Sequence, residues 1–365
     1  MDDRATGALV RRRPVKSLGF VFSLACAVSL PAQVSPAPDT VDRVVASAMA
    51  ARHIPGVAIA IVRDGKVVRS QGYGFADVER RVPVTPQTVF KIGSVSKQLI
   101  AAGILLLAED GKIQLTDSLS RFYAGTPDHW RGITVRHFLT HTSGVRREGP
   151  AFRPMDPQPD SVVVRSAFAE PLEFATGSKY QYCNVCYFAL ADVITRVSGR
   201  PWDAFIADRV FQPLGMTSTT TTNRAEASVA RGYSWRDGAW VRSPDYLAVR
   251  PSGAFSSTVV DLTKWALALD GDRLLRAPTR SAMWTRAPLT DGTTTNYGFG
   301  WVIDSADGRA RIHHGGSLPG FRAELMRIPA DRLTIIVLTN ADEAQPAEIA
   351  RQIALALRLP VRKES

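Results

Sequence analysis

The chain has 365 residues, 45% of them hydrophobic and 22% charged, with a formal net charge of +11. Such a length accommodates roughly two or three domain-sized units or one large enzyme-like fold, and the composition excludes a disordered chain, a collagen-like repeat and a polytopic membrane protein. The first 32 residues contribute +3 of the charge and the remaining +8 is dispersed, with no basic run after residue 16, so nucleic acid is not an expected partner.

Residues 11–16 form a basic segment, and Leu18 to Leu30 is an apolar stretch of 13 residues, too short to span a bilayer. Residues 1–32 therefore read as a signal peptide, cut after Ala27 or Ala32. The mature chain, 33–365, is expected in the periplasm or secreted, with no transmembrane domain. Cys26, preceded by Ser23-Leu24-Ala25, leaves a lipoprotein as the alternative, although Ser stands where a lipobox carries an aliphatic residue.

Asp39-Thr40 can cap a helix whose apolar positions Val41, Val44, Val45 and Ala48 recur at helical spacing up to Pro55-Gly56. Val57 to Val62, the Asp64-Gly65 turn and Lys66 to Gly72 read as a β-hairpin. Val95 to Asp110 is apolar almost all round, with Gly111 as its stop, and predicts a central buried helix. From about 112 to 290 the pattern is helical with long loops: Val135 to Leu139 after a Thr134 cap, Asn184 to Val197 before Gly199, Trp202 to Val210, and Thr258 to Leu269. Tyr297 to Asp304, Arg309 to His314, Arg322 to Pro329 and Leu333 to Asn340 then predict consecutive antiparallel strands, and Ala347 to Leu357 a closing amphipathic helix. Strands at both ends with helices between them predict an α+β fold: one antiparallel sheet formed by N- and C-terminal segments, flanked by helices and interrupted by a mainly helical subdomain.

Cys183 and Cys186 form a C-x-x-C with three readings open: a redox pair, half of a metal site, or two small buried residues at a helix start. No second C-x-x-C exists, so zinc is not expected, and plain packing is preferred to a local disulfide. His137 and His141 have the i, i+4 spacing of metal ligands, but Phe138 occupies the place of a zinc hydrolase's Glu and no third ligand is evident. No metal or cofactor is expected.

Lysine is scarce, eight against 37 arginines, which draws attention to Ser94-Val95-Ser96-Lys97 at the start of the buried helix. Three residues along a helix bring a hydroxyl and an amine onto one face, and apolar surroundings lower the lysine pKa enough to activate the serine. The plain alternatives are a capping Ser94, a snorkelling Lys97 and a packed Tyr182. One such pair arises by chance in many chains of this length. Here it is followed in order by Tyr182-Cys183-Asn184 at a loop-to-helix junction and His314-Gly315-Gly316 at the end of a late strand.

With Phe90 to Lys97, Leu139-Thr140-His141-Thr142-Ser143-Gly144, Pro213 to Thr217, Tyr297 to Trp301 and His314 to Phe321, these motifs resemble the serine β-lactamase-related superfamily of class C β-lactamases, penicillin-binding proteins, DD-peptidases and esterases. The resemblance spans about 40 to 345. It implies that Ser94 is the acylated nucleophile, Lys97 its base or electrostatic activator, and Tyr182 a proton shuttle. It implies further that Asn184 holds substrate or Lys97, that the Ser94 and Ser317 amides form an oxyanion hole, and that Gly315 and Gly316 admit substrate close to their strand. His314 would line the substrate site, or be a satisfied strand-end histidine. Many family β-lactamases carry Lys-Thr-Gly where this chain has His314-Gly315-Gly316, losing a cation and a hydroxyl; Arg322 is a candidate replacement for the charge.

The expected protein is thus an exported serine hydrolase acting through an acyl-enzyme on a small-molecule ester, amide or peptide. Its expected type is a carboxylesterase, or a peptidase cleaving D-amino-acid or peptidoglycan-type bonds. A class C-like β-lactamase acting on β-lactam antibiotics is the alternative within the class. A penicillin-binding sensor that acylates without turnover is the alternative outside it.

Overall fold

The computed structural model describes residues 39–357 apart from 154, 157, 222–228 and 245–250. All of these fall in one compact unit, Pro38–Ser365. The expected signal peptide and Cys26 lie outside the described residues.

The chain opens with helix α1 (Thr40–Ala51), capped by Asp39, and strands β1 (Gly56–Arg63), β2 (Lys66–Asp77) and β3 (Val82–Pro83). Strand β4 (Phe90–Lys91) leads into α2 (Ser96–Glu109), followed by α3 (Val135–Leu139), α4 (Asp160–Ser166), α5 (Asn184–Ser198), α6 (Trp202–Ile206) and α7 (Gln212–Leu214). Short strands β5 (Thr220–Thr221), β6 (Tyr233–Arg236), β7 (Ala239–Arg242) and β8 (Phe255–Ser257) precede α8 (Val259–Ala268) and α9 (Ala277–Met283). The chain then runs through β9 (Val302–Ala306), β10 (Arg309–Leu318), β11 (Phe321–Ile328) and β12 (Leu333–Thr339) to α10 (Pro346–Ala356).

Seven strands form one sheet in the order β3-β2-β1-β12-β11-β10-β9. The two ends of the chain meet at its centre, where β1 pairs antiparallel with β12 from Val57↔Thr339 to Arg63↔Leu333. Both strands are buried along almost their whole length, so alternate residues feed two separate cores. Val57, Ile59, Ile335 and Val337 pack with α1 and α10 on one face. Ala58, Ala60, Ile336 and Leu338 join α2, α5 and α8 on the other.

Helix α2 runs through that second core with every residue from Ser96 to Leu107 buried. Each fully buried Leu or Ile there contributes about 1.5–3 kcal/mol. The expected strand over Tyr297 to Asp304 begins only at Val302. Gly300 takes a positive φ of 79°, and a Cβ on it would lie 2.9 Å from the Lys97 carbonyl oxygen. The segment therefore turns tightly against the start of α2 and presents Tyr297 inward instead of pairing along the sheet. No helix among the described residues is long and apolar enough to cross a membrane.

Candidate active site

Ser94 sits in a single 3₁₀ turn, Gly93–Val95, entering α2. Small-sheet pairing fixes that turn: Ile92 donates its N–H to the Phe255 carbonyl (3.0 Å), and Ser96 Oγ accepts the Phe255 N–H (3.1 Å). Gly93 supplies a φ of 52°.

Lys97 is fully buried one turn later. Its Nζ lies 2.9 Å from Asn184 Oδ1, 2.8 Å from the Ser252 carbonyl and 3.2 Å from Ser94 Oγ. The amide and carbonyl oxygens can only accept. A neutral amine must therefore direct its two N–H groups at them, which leaves its lone pair for the Ser94 hydroxyl. Burial holds the Lys97 pKa well below its ordinary value; nearby Glu148 opposes this and Arg147 reinforces it.

Tyr182 stands beside this pair, its ring centroid 4.7 Å from Lys97 Nζ. Burial raises its phenol above the usual range, an effect its interaction with Ser94 opposes. Helix α5 begins immediately after and sets the residues on either side of Cys183. Asn184 Nδ2 donates to Glu148 Oε1 at 2.5 Å while Oδ1 accepts from Lys97, so both ends of the amide are used. Asn184 accordingly holds Lys97, and the second N–H of its Nδ2 is not used by either bond.

The preference for plain packing at Cys183 and Cys186 is corrected: the two are joined in a disulfide. Cys183 Sγ also accepts the Cys186 N–H (3.0 Å), serving as the α5 N-cap. The bridge closes the first turn of the helix that carries Asn184, next to Tyr182.

On the opposite wall, β10 meets the Ser94 turn backbone to backbone. A Cβ on Gly316 would lie 1.9 Å from the Ile92 carbonyl oxygen and 3.3 Å from the Ser94 nitrogen, and one on Gly93 would lie 2.7 Å from the Ser317 nitrogen. Gly316 is thus bare to admit its own chain's turn. A Cβ on Gly315 would meet the Glu324 side chain at 3.1 Å and the Ala323 carbonyl oxygen at 3.6 Å, an ordinary contact.

His314 is buried at the edge of the cleft, and both of its ring nitrogens are held by this chain's own groups. Its Nδ1 lies 2.6 Å from the Gly315 carbonyl and so donates, leaving Nε2 to accept the Tyr297 hydroxyl at 2.9 Å. Burial first, then the Lys97 charge, lowers its pKa to about 3, so the ring is neutral and fully engaged. Arg322 supplies no unpaired charge either, being bound to the Leu318 and Phe321 carbonyls and to Asp342 at 3.0 Å.

Of the expected site residues, Ser94, Tyr182, His314, Gly315, Gly316 and Ser317 border one cleft of about 650 Å³. Lys97 and Asn184 stand behind Ser94 and Tyr182. Reasoning from sequence missed Arg147, Glu148, Ser252 and Tyr297. Arg147 and Glu148 belong to none of the sequence motifs, and Ser252 contributes a carbonyl, which no side-chain pattern reveals. His141 gave a metal-ligand spacing, but its Nδ1 accepts the Cys183 N–H (3.1 Å) and its ring packs 4.4 Å from that of Tyr182.

A sequence profile of the Beta-lactamase family matches residues 41–358. The chain belongs to the Beta-lactamase family. It is 29% identical over 303 residues to penicillin-binding protein 4* of Bacillus subtilis (strain 168), covering 76% of this chain and 66% of that protein, just under two thirds of its length. Among solved structures it is similar to the octameric penicillin-binding protein homologue from Pyrococcus abyssi, with a TM-score of 0.77 at 28% identity over 87% of this chain and 76% of that one. The D-amino acid amidase from Ochrobactrum anthropi SV3 shares the fold, with a TM-score of 0.75 at 22% identity over 87% of this chain and 98% of that one.

Proposed function

We propose that this protein is a serine hydrolase that forms an acyl-enzyme at Ser94 and cleaves an ester or amide. The observation that carries the reading is the Lys97 amine, buried and held by two obligate acceptors so that its remaining valence meets Ser94 Oγ at 3.2 Å. In acylation Ser94 Oγ attacks the substrate carbonyl carbon and its proton passes to Lys97 Nζ. The carbonyl electron pair moves onto oxygen, and the Ser94 and Ser317 amides are the proposed donors to it. As that pair returns, the bond to the alcohol or amine breaks. The leaving group takes up the Lys97 proton by way of Tyr182, whose raised pKa keeps it in the donor form, so that both residues end as they began. Water then attacks the acyl carbon, the Ser94 oxygen departs with a proton, and the carboxylic acid is released.

His314, neutral and engaged, stands on β10 where many family β-lactamases carry a lysine, and this difference supports an esterase or peptidase over a β-lactamase. The fold shared with a D-amino acid amidase adds support for amide substrates. Export to an oxidising compartment, as a periplasmic or secreted protein, is part of the proposal; the Cys183–Cys186 disulfide supports it.

The test is mass spectrometry and product release with a short-chain p-nitrophenyl ester and, separately, a chromogenic cephalosporin. Ester turnover should fall at least about 10³-fold in Ser94→Ala, with no residual adduct. Faster cephalosporin hydrolysis would transfer the reading to a β-lactamase. A stable adduct without turnover would transfer it to a sensor.

A further inference from the structure

We infer that Arg147, on the loop between α3 and α4 that packs against the start of α5, forms a carboxylate seat in the reaction cleft, and that it selects substrates bearing an anionic group near the scissile bond. The inference rests on the hydrolase reading and adds a substrate class to it. Four arginines line the cleft with Ser94. Three are tied to carboxylates at close range: Arg311 to Asp304 at 2.7 Å, Arg322 to Asp342 at 3.0 Å and Arg351 to Glu348 at 2.8 Å. Arg147 approaches Glu148 only to 3.7 Å, and that carboxylate is also engaged by Asn184 at 2.5 Å.

The Arg147 guanidinium lies over the Tyr182 ring, 5.1 Å from its centroid, and its side chain is 61% exposed. Its backbone is fixed as well, since the Arg147 carbonyl accepts the Asn184 N–H at 2.9 Å. One planar cation is therefore held over a residue beside Ser94, with most of its side chain exposed to solvent. That is the arrangement suited to receiving a substrate carboxylate. The neighbouring Arg146 does not share the role, because it pairs with Glu170 at 2.6 Å. Of the cleft's acidic groups, Glu324 is buried against His313 and Glu348 is paired with Arg351, so neither opposes an incoming anion at Ser94.

The test compares matched esters on the same enzyme. On the acyl side the pair is mono-p-nitrophenyl adipate and p-nitrophenyl hexanoate; on the leaving-group side it is 4-acetoxybenzoate and phenyl acetate. Each comparison is read as the anionic-to-neutral ratio of kcat/KM, so that effects common to both esters cancel. Arg147→Gln should lower the ratio about three- to tenfold in one pair, Arg147→Lys should restore part of it, and added salt should shrink it in the wild type. Whichever pair responds identifies the side on which the carboxylate binds. Ratios unchanged within about twofold in both pairs would overturn the seat.

Affinity for the same four esters is measured in Ser94→Ala and in Ser94→Ala/Arg147→Gln. These variants read the seat without turnover. Absence of Ser94-dependent hydrolysis would end the hydrolase reading while affinity alone judged the seat: weaker binding of an anionic ester in the double variant supports it, and equal binding removes it.

Discussion

Lys97 occupies the point at which burial and charge act against each other. Desolvation lowers its pKa, Glu148 raises it and Arg147 lowers it further. A base must be neutral to accept the Ser94 proton, so activity rises with pH through the Lys97 pKa. Replacing Glu148 by Gln removes the anion that favours the ammonium while keeping an oxygen for Asn184 Nδ2. The acidic limb of the kcat/KM profile for a neutral ester should then move to lower pH. Arg147→Gln should move it the other way. A profile unmoved in both variants would mean that the limb does not report Lys97. Asn184 makes the coupling possible, because its amide spans Lys97 and Glu148. Ser94 and Lys97 were legible in the sequence from their spacing, and Tyr182 and Asn184 from the resemblance to a known family. Glu148 was not, because its partner in space lies 36 positions away and no local pattern encodes that contact.

Strand β10 illustrates how an element can be right in extent of character and different in purpose. The sequence predicts a strand to His314, followed by a glycine pair for substrate. The strand continues to Leu318, and Gly316 faces the Ile92 carbonyl of the Ser94 turn. Backbone on both sides cannot yield, so Gly316→Ala should displace β10 from Ser94 and reduce kcat/KM at least about 100-fold while the protein stays folded by circular dichroism. Gly315→Ala meets a side chain at 3.1 Å and backbone only at an ordinary 3.6 Å, and should cost less than about tenfold. Equal losses in the two variants would show that the close approach to Ile92 does not set the site. The disulfide belongs to this scale too, since Cys183 and Cys186 lie one helical turn apart only once α5 has formed.

The whole molecule is held by a sheet whose centre is made from both ends of the chain, with β9, β10 and β11 extending it to one side. Behind the cleft, His313 bridges those three strands. Its Nδ1 lies 2.8 Å from Glu324 Oε1 and its Nε2 3.2 Å from Asp304 Oδ2, with Arg311 also on Asp304. Burial lowers the His313 pKa, but the two carboxylates outweigh it and the folded value is raised. A raised folded pKa gives stability that is complete below the unfolded value, about 6.5, and disappears as pH climbs through the folded value. Wild type should therefore exceed His313→Gln by about 1–3 kcal/mol at pH 6 in urea denaturation. The gap should narrow toward pH 9, and a gap independent of pH would show that His313 carries no charge in the fold.

By itself the sequence determined the elements whose periodicity is local, namely α1, the β1–β2 hairpin, α2, α5 and β10 to β12, and the order of the three motifs. These follow from short-range rules of apolar spacing, capping and turn chemistry. Tertiary structure alone decided what each polar group touches. It spent both nitrogens of His314 on Tyr297 and Gly315, turned Tyr297 to Trp301 against α2, joined Cys183 to Cys186 and set Arg147 over Tyr182. A hydrogen bond or ion pair depends on distance and angle between segments far apart in the chain, and composition and spacing do not contain that geometry.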